Sequence, residues 1–214
     1  VNAYSSSSLT ALASFEGLEN LQTIGGSFKV IAESGSYSLR ALKSFQGLSS
    51  LKSIGGDFYC HKSIFTKGLS LLNSIGGDFD IYISSDEGLE NLVSIGGSFR
   101  PYYGESFKTL RKLSSIGKDF DVHGFNGTSF EGLENLRTIG SDITIKNCQL
   151  NNIDALKNVE SINDISITSC PKLYDFCVLK NIVQNMSGTF YVNGNGYNPT
   201  KYQLLNGECS KQPE

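Results

Sequence analysis

The chain repeats itself, and the repeat decides what it can fold into. An Ile-Gly-Gly turn recurs at Ile24-Gly25-Gly26, Ile54-Gly55-Gly56, Ile75-Gly76-Gly77 and Ile95-Gly96-Gly97. Weaker copies follow at Ile116-Gly117, Ile139-Gly140 and Ile162-Asn163, and Met186-Ser187-Gly188 reads as a last one. The spacings are 30, 21, 20, 21, 23, 23 and 24 residues, so almost none of the 214 residues falls outside the pattern. A unit of this length cannot bury its apolar face alone. It does so by stacking on its neighbours.

Within a unit the apolar residues recur every third position. Leu9, Leu12, Phe15, Leu18, Leu21 and Ile24 form one run, and Leu39, Leu42, Phe45, Leu48, Leu51 and Ile54 the next. A period of three fits neither an α-helix nor a strand. It suits a chain that bends round a core through tight, partly 3₁₀-like turns. After each turn the period drops to two, as in Phe28 and Val30, Phe58 and Cys60, Phe79 and Ile81, Phe99 and Pro101, Phe120 and Val122. Ile143 and Ile145, Ile165 and Ile167, Phe190 and Val192 continue the series. These are short strands with alternate residues inward. The glycine pair is expected to supply positive φ for a sharp entry into each strand. A phosphate-binding loop is the sharper alternative and is not expected, because no Lys-Ser/Thr and no helix follows the glycines.

The expected architecture is an α/β, β-rich solenoid of about eight coils, with one parallel strand per coil and strands about 4.8 Å apart. Residues 1–214 form one domain. Leu173, Phe176, Leu179, Val183 and Met186 stand at helical spacing. A helix over 173–186 is therefore expected to cap the open end, within a cap segment spanning 173–214. Irregular insertions are expected at Ala32 to Ser38, His61 to Gly68 and Gly124 to Thr128.

Composition narrows the function. Eighteen basic and 21 acidic residues leave a net charge of -3, which is not the clustered positive field that nucleic acid requires. No run of 18 apolar residues is present to span a membrane, and the segment VNAYSSSS has no leader character. No cofactor is implied. The two His and five Cys lack the short spacings of a metal site. Cys60 reads as a buried thiol. Cys148 and Cys170 occupy the same place in adjacent coils, either as a disulfide or as a reduced pair. Cys177 and Cys209 make the better bridge, pinning a tail that has little else to hold it.

The outward strand positions carry the candidate site. They place Tyr59, His61, Tyr82, Tyr102 and His123 in a strip, with Tyr103 beside it. A neighbouring column runs Asp80, Arg100, Asp121, whose members should pair across strands. Tyrosine suits a half-exposed strand for structural reasons alone. It is also the residue of recognition surfaces. Asp80 and Asp121 stand about 9.6 Å apart, near the separation used by inverting glycosidases. Arg100 between them would depress both acids, so catalysis is not expected. Candidate binding residues are Tyr59, His61, Tyr82, Arg100, Tyr102, Asp121 and His123.

The unit L-x-x-F-x-G-L-x-x-L-x-x-I-G-G-x-F-x-V, as in Leu12 to Val30, resembles leucine-rich repeats of the receptor L-domain type. Such repeats form ligand-binding ends of growth-factor receptors and occur in surface proteins of gut bacteria and fungal walls. The resemblance covers residues 9 to 192. The segment Leu173 to Cys209 is more similar to the bacterial surface proteins. The resemblance implies a right-handed leucine-rich-repeat-like superhelix, export, and lipid or cell-wall tethering upstream of Val1. It implies a non-enzymatic adhesion or binding module for a host or bacterial surface protein or glycan. It carries over no catalytic residue. A ligand-free envelope spacer and a glycan-binding part of a nutrient-uptake system are the other classes it leaves open.

Overall fold

The computed structural model describes residues 2–5, 13–32, 41–85 and 87–213. Leu9, Leu12, Leu39 and the expected insertion over 33–38 lie outside them. The chain winds as a parallel β-solenoid with two sheets. The long strands are β1 (Asn2–Ser5), β3 (Phe28–Ala32), β5 (Phe58–Phe65), β7 (Phe79–Ser85), β9 (Phe99–Tyr102), β11 (Phe120–His123), β13 (Ile143–Lys146), β14 (Ile165–Thr168) and β15 (Phe190–Asn193). They form one nine-stranded sheet in the order β1-β3-β5-β7-β9-β11-β13-β14-β15. Between them lie two-residue strands, each ending on the isoleucine of a turn: β2 (Thr23–Ile24), β4 (Ser53–Ile54), β6 (Ser74–Ile75), β8 (Ser94–Ile95), β10 (Ser115–Ile116) and β12 (Thr138–Ile139). These pair into a six-stranded sheet.

The period of three has a hydrogen-bonding cause. Leu48 N–H donates to the Phe45 carbonyl (3.0 Å) and Leu51 N–H to the Leu48 carbonyl (3.0 Å). The same pairs recur at Phe107, Leu110 and Leu113 and at Phe130, Leu133 and Leu136. Each inward residue thus closes one tight turn and opens the next. The inward rings stack between coils. Phe28, Phe58, Phe79, Phe99 and Phe120 stand 5.2, 5.2, 5.3 and 5.7 Å apart in succession, and all five are buried.

The Gly-Gly pair works differently from the expectation. None of Gly55, Gly56, Gly76, Gly77, Gly96 and Gly97 has positive φ. Instead, a Cβ on Gly76 would come within 2.2 Å of the Gly55 carbonyl oxygen, and one on Gly96 within 2.3 Å of that of Gly76. The glycines let successive turns lie in backbone contact. Positive φ belongs to the glycine of F-x-G-L, as at Gly17 (92°), Gly47 (97°) and Gly132 (107°).

Side-chain ladders join the coils. The residue before each long strand accepts from the equivalent amide of the next coil. Asp57 N–H donates to Ser27 Oγ (3.0 Å), Asp78 N–H to Asp57 Oδ1 (3.1 Å), Ser98 N–H to Asp78 Oδ1 (2.9 Å) and Asp164 N–H to Asp142 Oδ1 (3.1 Å). On another side, Asn91, Asn135 and Asn158 each donate to a carbonyl of the preceding coil, at 2.6 to 2.7 Å. These bonds satisfy main-chain amides and carbonyls of successive coils that no helix pairs.

Three local expectations change. The insertion at 61–68 is mostly strand, since β5 runs on to Phe65. It pairs Ile64 with Ile83 and Phe65 with Ser85, with register shifts that absorb the extra residues as a bulge. The stripe Leu173, Phe176, Leu179, Val183 and Met186 is buried, but helix is confined to a 3₁₀ turn at Cys177–Leu179 and to α1 (Lys180–Asn185). Asp175 Oδ1 accepts the Cys177 N–H (2.8 Å) and starts the turn there. A second short helix, α2 (Lys201–Leu205), follows a Thr200–Gln203 capping box. Cys177 and Cys209 are joined by a disulfide, and Cys60, Cys148 and Cys170 are buried and free. Cys148 Sγ donates to the Lys146 carbonyl (3.3 Å) and Cys170 Sγ to that of Thr168 (3.5 Å), and the neighbouring Cys170 thiol, with burial, holds the Cys148 thiol above its ordinary value.

Candidate functional site

The outward residues of β5, β7, β9 and β11 share one face, because inward Phe and aliphatic residues alternate with them. Burial alternates buried and half-buried along Phe99–Tyr102 and Phe120–His123. In-register pairing sets Tyr59 beside Asp80, Asp80 beside Arg100, Tyr82 beside Tyr102, and Tyr102 beside His123. The rings follow. Tyr82 stacks on Tyr102 at 5.0 Å and 25°, and Tyr102 tilts towards His123 at 6.1 Å. Tyr59 stands apart from this cluster in the register, opposite Asp80. His61 lies in β5 where in-register pairing with β7 has stopped at Cys60. Its side chain falls outside what the structure describes.

Tyr103 completes the ring cluster. Its φ is 55°, a left-handed conformation that is uncommon for a bulky residue. Asn147 and Ser169 (φ 57° each), Gly124 (66°) and Gly194 (68°) hold the same conformation at the same place after their strands. Every coil from β9 onward leaves its strand through this bend. At 103 the bend carries an aromatic ring, 60% exposed, stacked on Tyr82 at 5.7 Å. Gly124 in the next coil makes room for it. A Cβ there would meet the Tyr103 ring at 2.8 Å.

The charges pair differently from the sequence expectation of one cross-strand column. Arg100 Nη1 donates to Asp78 Oδ2 at 3.0 Å, and Asp78 belongs to the ladder before β7. Asp121 turns along its own strand, with Oδ1 2.7 Å from His123 Nε2. That contact is short but is not aligned as a hydrogen bond, and Asp121 Oδ1 is buried with no hydrogen-bond partner among the described residues. Asp80 is 7% exposed. One coil away, Lys29 Nζ sits 4.6 Å above the Tyr59 ring and 3.8 Å from Asp57 Oδ2.

Burial, followed by Asp57, Asp78 and Asp80, holds the Tyr59 phenol above its ordinary value. Burial, followed by Asp80 and Asp121, does the same for Tyr102. Lys29, Asp57, Asp78 and Tyr103 were not among the sequence candidates. For Asp57 and Asp78 the readable signal was the Ser/Asp that precedes Phe in each strand. For Tyr103 it was adjacency alone, since left-handed backbone at a tyrosine has no sequence signature.

Elsewhere, a cavity of about 810 Å³ lies over the Gly-Leu turns, lined by Glu16, Gln46, Lys67 and Glu87 among others. It does not touch the tyrosine face. Its Glu19 and Glu90 carboxylates are taken up by the amides of Gly17 and Gly88. Among the described residues no group of three or more His, Cys, Asp and Glu could hold a metal ion, and no helix is long and apolar enough to cross a membrane. Comparison of the sequence with protein-family models and with curated proteins returned no match.

Proposed function

We propose that the chain is a non-enzymatic binding module that recognises a surface protein or glycan through the outward face of β5 to β11. The carrying observation is the continuous ring cluster of Tyr82, Tyr102, Tyr103 and His123. A strand face formed only by propensity gains nothing from an exposed tyrosine in a left-handed bend. A recognition face gains a large rigid contact area with a polar end. Solenoids present such extended surfaces as their usual mode of binding.

The finer reading of the fold is also ours. The repeat supports a leucine-rich-repeat class of the receptor L-domain type, right-handed and of about eight coils, in a single domain whose 173–214 segment caps the end. The Cys177–Cys209 bridge supports an oxidising location, hence export to the cell surface or beyond. Lipid tethering would then be the only membrane link.

The test is a binding screen of the chain against matrix proteins and polysaccharides, alongside a Tyr59→Ala, Tyr82→Ala, Tyr102→Ala triple variant. The expected result is a partner lost in a variant that keeps its circular dichroism spectrum. Partners retained unchanged by the folded variant would overturn the reading in favour of a spacer or of the loops.

A further inference from the structure

The amide of the Gly-Leu turn holds a carboxylate in several coils of this chain, and two adjacent coils leave it unfilled. In Gly17-Leu18-Glu19 the Gly17 N–H donates to both Glu19 oxygens, at 2.9 and 3.0 Å. Gly132 N–H does the same to Glu134, at 3.0 Å to each oxygen. Gly88 N–H donates to Glu90 Oε1 at 2.9 Å. The Gly17 amide holds the Glu19 carboxyl below its ordinary value.

Gly47-Leu48-Ser49 and Gly68-Leu69-Ser70 have serine where the glutamate stands. Gly47 and Gly68 keep the left-handed backbone of the others, with φ of 97° and 104° against 92° for Gly17, 101° for Gly88 and 107° for Gly132. Their N–H groups are therefore presented in the same way. Among the described residues neither has a hydrogen-bond acceptor. Gly47 is buried and Gly68 half-buried, and an unpaired amide in such a place is uncommon.

The two coils are neighbours. Phe45 N–H donates to the Lys67 carbonyl at 2.9 Å, so the turns stack one strand spacing apart, about 4.8 Å. Both glycines line the cavity of about 810 Å³, which is of small-molecule size. Backbone amides that face one concavity make an anion site. A carboxylate there receives stronger bonds than a neutral acceptor does. Lys67 lines the same cavity and adds a cation. Glu16 and Glu87 line it from the flanking coils, so a second negative charge on the ligand is repelled. Gln46, Ser49 and Ser70 add side chains that exchange hydrogen bonds with hydroxyl groups.

We infer that this cavity binds a small hydroxylated acid with one carboxylate, of the uronic acid class, its carboxylate seated on the Gly47 and Gly68 amides as Glu19, Glu90 and Glu134 are seated in other coils. The site lies apart from the tyrosine face and does not depend on how that face is used.

The experiment titrates the isotope-labelled full chain and follows its backbone amide resonances. The probes are glucuronate, glucose and acetate. Glucuronate is expected to move the Gly47 and Gly68 amide protons downfield, as new hydrogen bonds do, and to leave those of Gly17, Gly88 and Gly132 in place. Glucose should move none of them, and acetate should bind more weakly than glucuronate. Ser70→Glu restores the spacing of the filled turns and supplies the carboxylate from within. Its Gly68 amide should move downfield without any ligand, and glucuronate binding should fall by roughly tenfold or more. Lys67→Gln should weaken binding by roughly two- to fivefold, the range of an exposed ion pair. Ser70 and Lys67 are exposed, and the chain already carries glutamate in equivalent turns, so neither variant disturbs folding. Circular dichroism checks this. If Gly47 and Gly68 stay in place with millimolar glucuronate, or if glucose moves them equally, the inference is overturned. If acetate binds as tightly as glucuronate, the hydroxylated class is overturned. If Ser70→Glu leaves glucuronate binding unchanged, the ligand does not sit on these amides and the assignment fails.

Discussion

Asp78 shows how one side chain serves both the scaffold and the face. It accepts the Ser98 N–H at 2.9 Å through Oδ1 and Arg100 Nη1 at 3.0 Å through Oδ2. Burial alone would push its carboxyl up, but those two donors, with Lys118 nearby, bring it below the ordinary carboxylate value. A carboxyl with a depressed folded value stabilises the fold above its unfolded value, near pH 4, and loses that contribution as the pH falls through the folded value. Arg100→Gln removes one donor. At pH 7 the variant is expected to be less stable by roughly 0.5 to 1 kcal/mol, the range for a partly exposed pair. The gap between variant and parent should close as the pH falls below about 4. Urea midpoints at several pH values measure this, and a gap that stays constant with pH would remove Asp78 from the account. At this scale the sequence was only partly legible. Tyr59, Tyr82, Tyr102 and His123 could be placed from strand alternation, because alternation is a backbone property. The partners of Arg100 and Asp121 could not, because a long side chain chooses among several neighbours. Arg100 reached back to a turn residue and Asp121 along its own strand.

Among the elements, the Ile-Gly-Gly turn is the least tolerant of change. A methyl on Gly76 would stand 2.2 Å from the Gly55 carbonyl oxygen, so the two coils would have to part. Gly76→Ala is expected to cost about 3 kcal/mol, at the upper end of overpacking penalties. Gly25→Ala, at the same place in the first such turn, meets nothing within 4 Å among the described residues, and should cost far less. Comparison of their thermal unfolding tests this, and equal losses would mean that contact between coils is not what selects glycine. The recurrence of these glycines was plain from the sequence, and their reason was not. Repetition reveals that a position is constrained. It does not distinguish a backbone angle from a close approach by another coil. The same limit explains β1. Asn-Ala-Tyr-Ser carries no Phe of the repeat, so nothing in it announced a strand, yet it pairs with β3 over Asn2–Ser5. The α2 helix had a readable signal, Thr200-Lys201-Tyr202-Gln203, since that spacing lets side chain and amide cap each other.

For the whole molecule, stability should be distributed rather than shared. Each coil touches only its neighbours, so an injury at one end need not reach the middle. The Cys177–Cys209 bridge spans 32 residues, and closing a loop of that size is worth about 3 to 4 kcal/mol by chain entropy. A Cys177→Ser, Cys209→Ser variant is expected to speed amide exchange at Phe190–Asn193 and in the tail. Exchange in Phe79–Ser85 and Phe99–Tyr102 should be unchanged. Uniform acceleration through every strand would show that the chain opens as one unit instead.

The ladders have a consequence for how such a chain can change over generations. The bonds that register one coil on the next use main-chain amides, the Ser or Asp before each strand, and the asparagines on the far side. None of those ladder bonds uses the first outward position of the strands, occupied in turn by Lys29, Tyr59, Asp80, Arg100, Asp121, Thr144, Ser166 and Tyr191. Apart from Arg100, which is held by the ladder carboxylate of Asp78, and the buried Asp80, a substitution at one of these rewrites what the molecule displays while leaving those ladder bonds intact. Holding together and being read by a partner are thus separate inheritances, and a new specificity can be acquired one coil at a time.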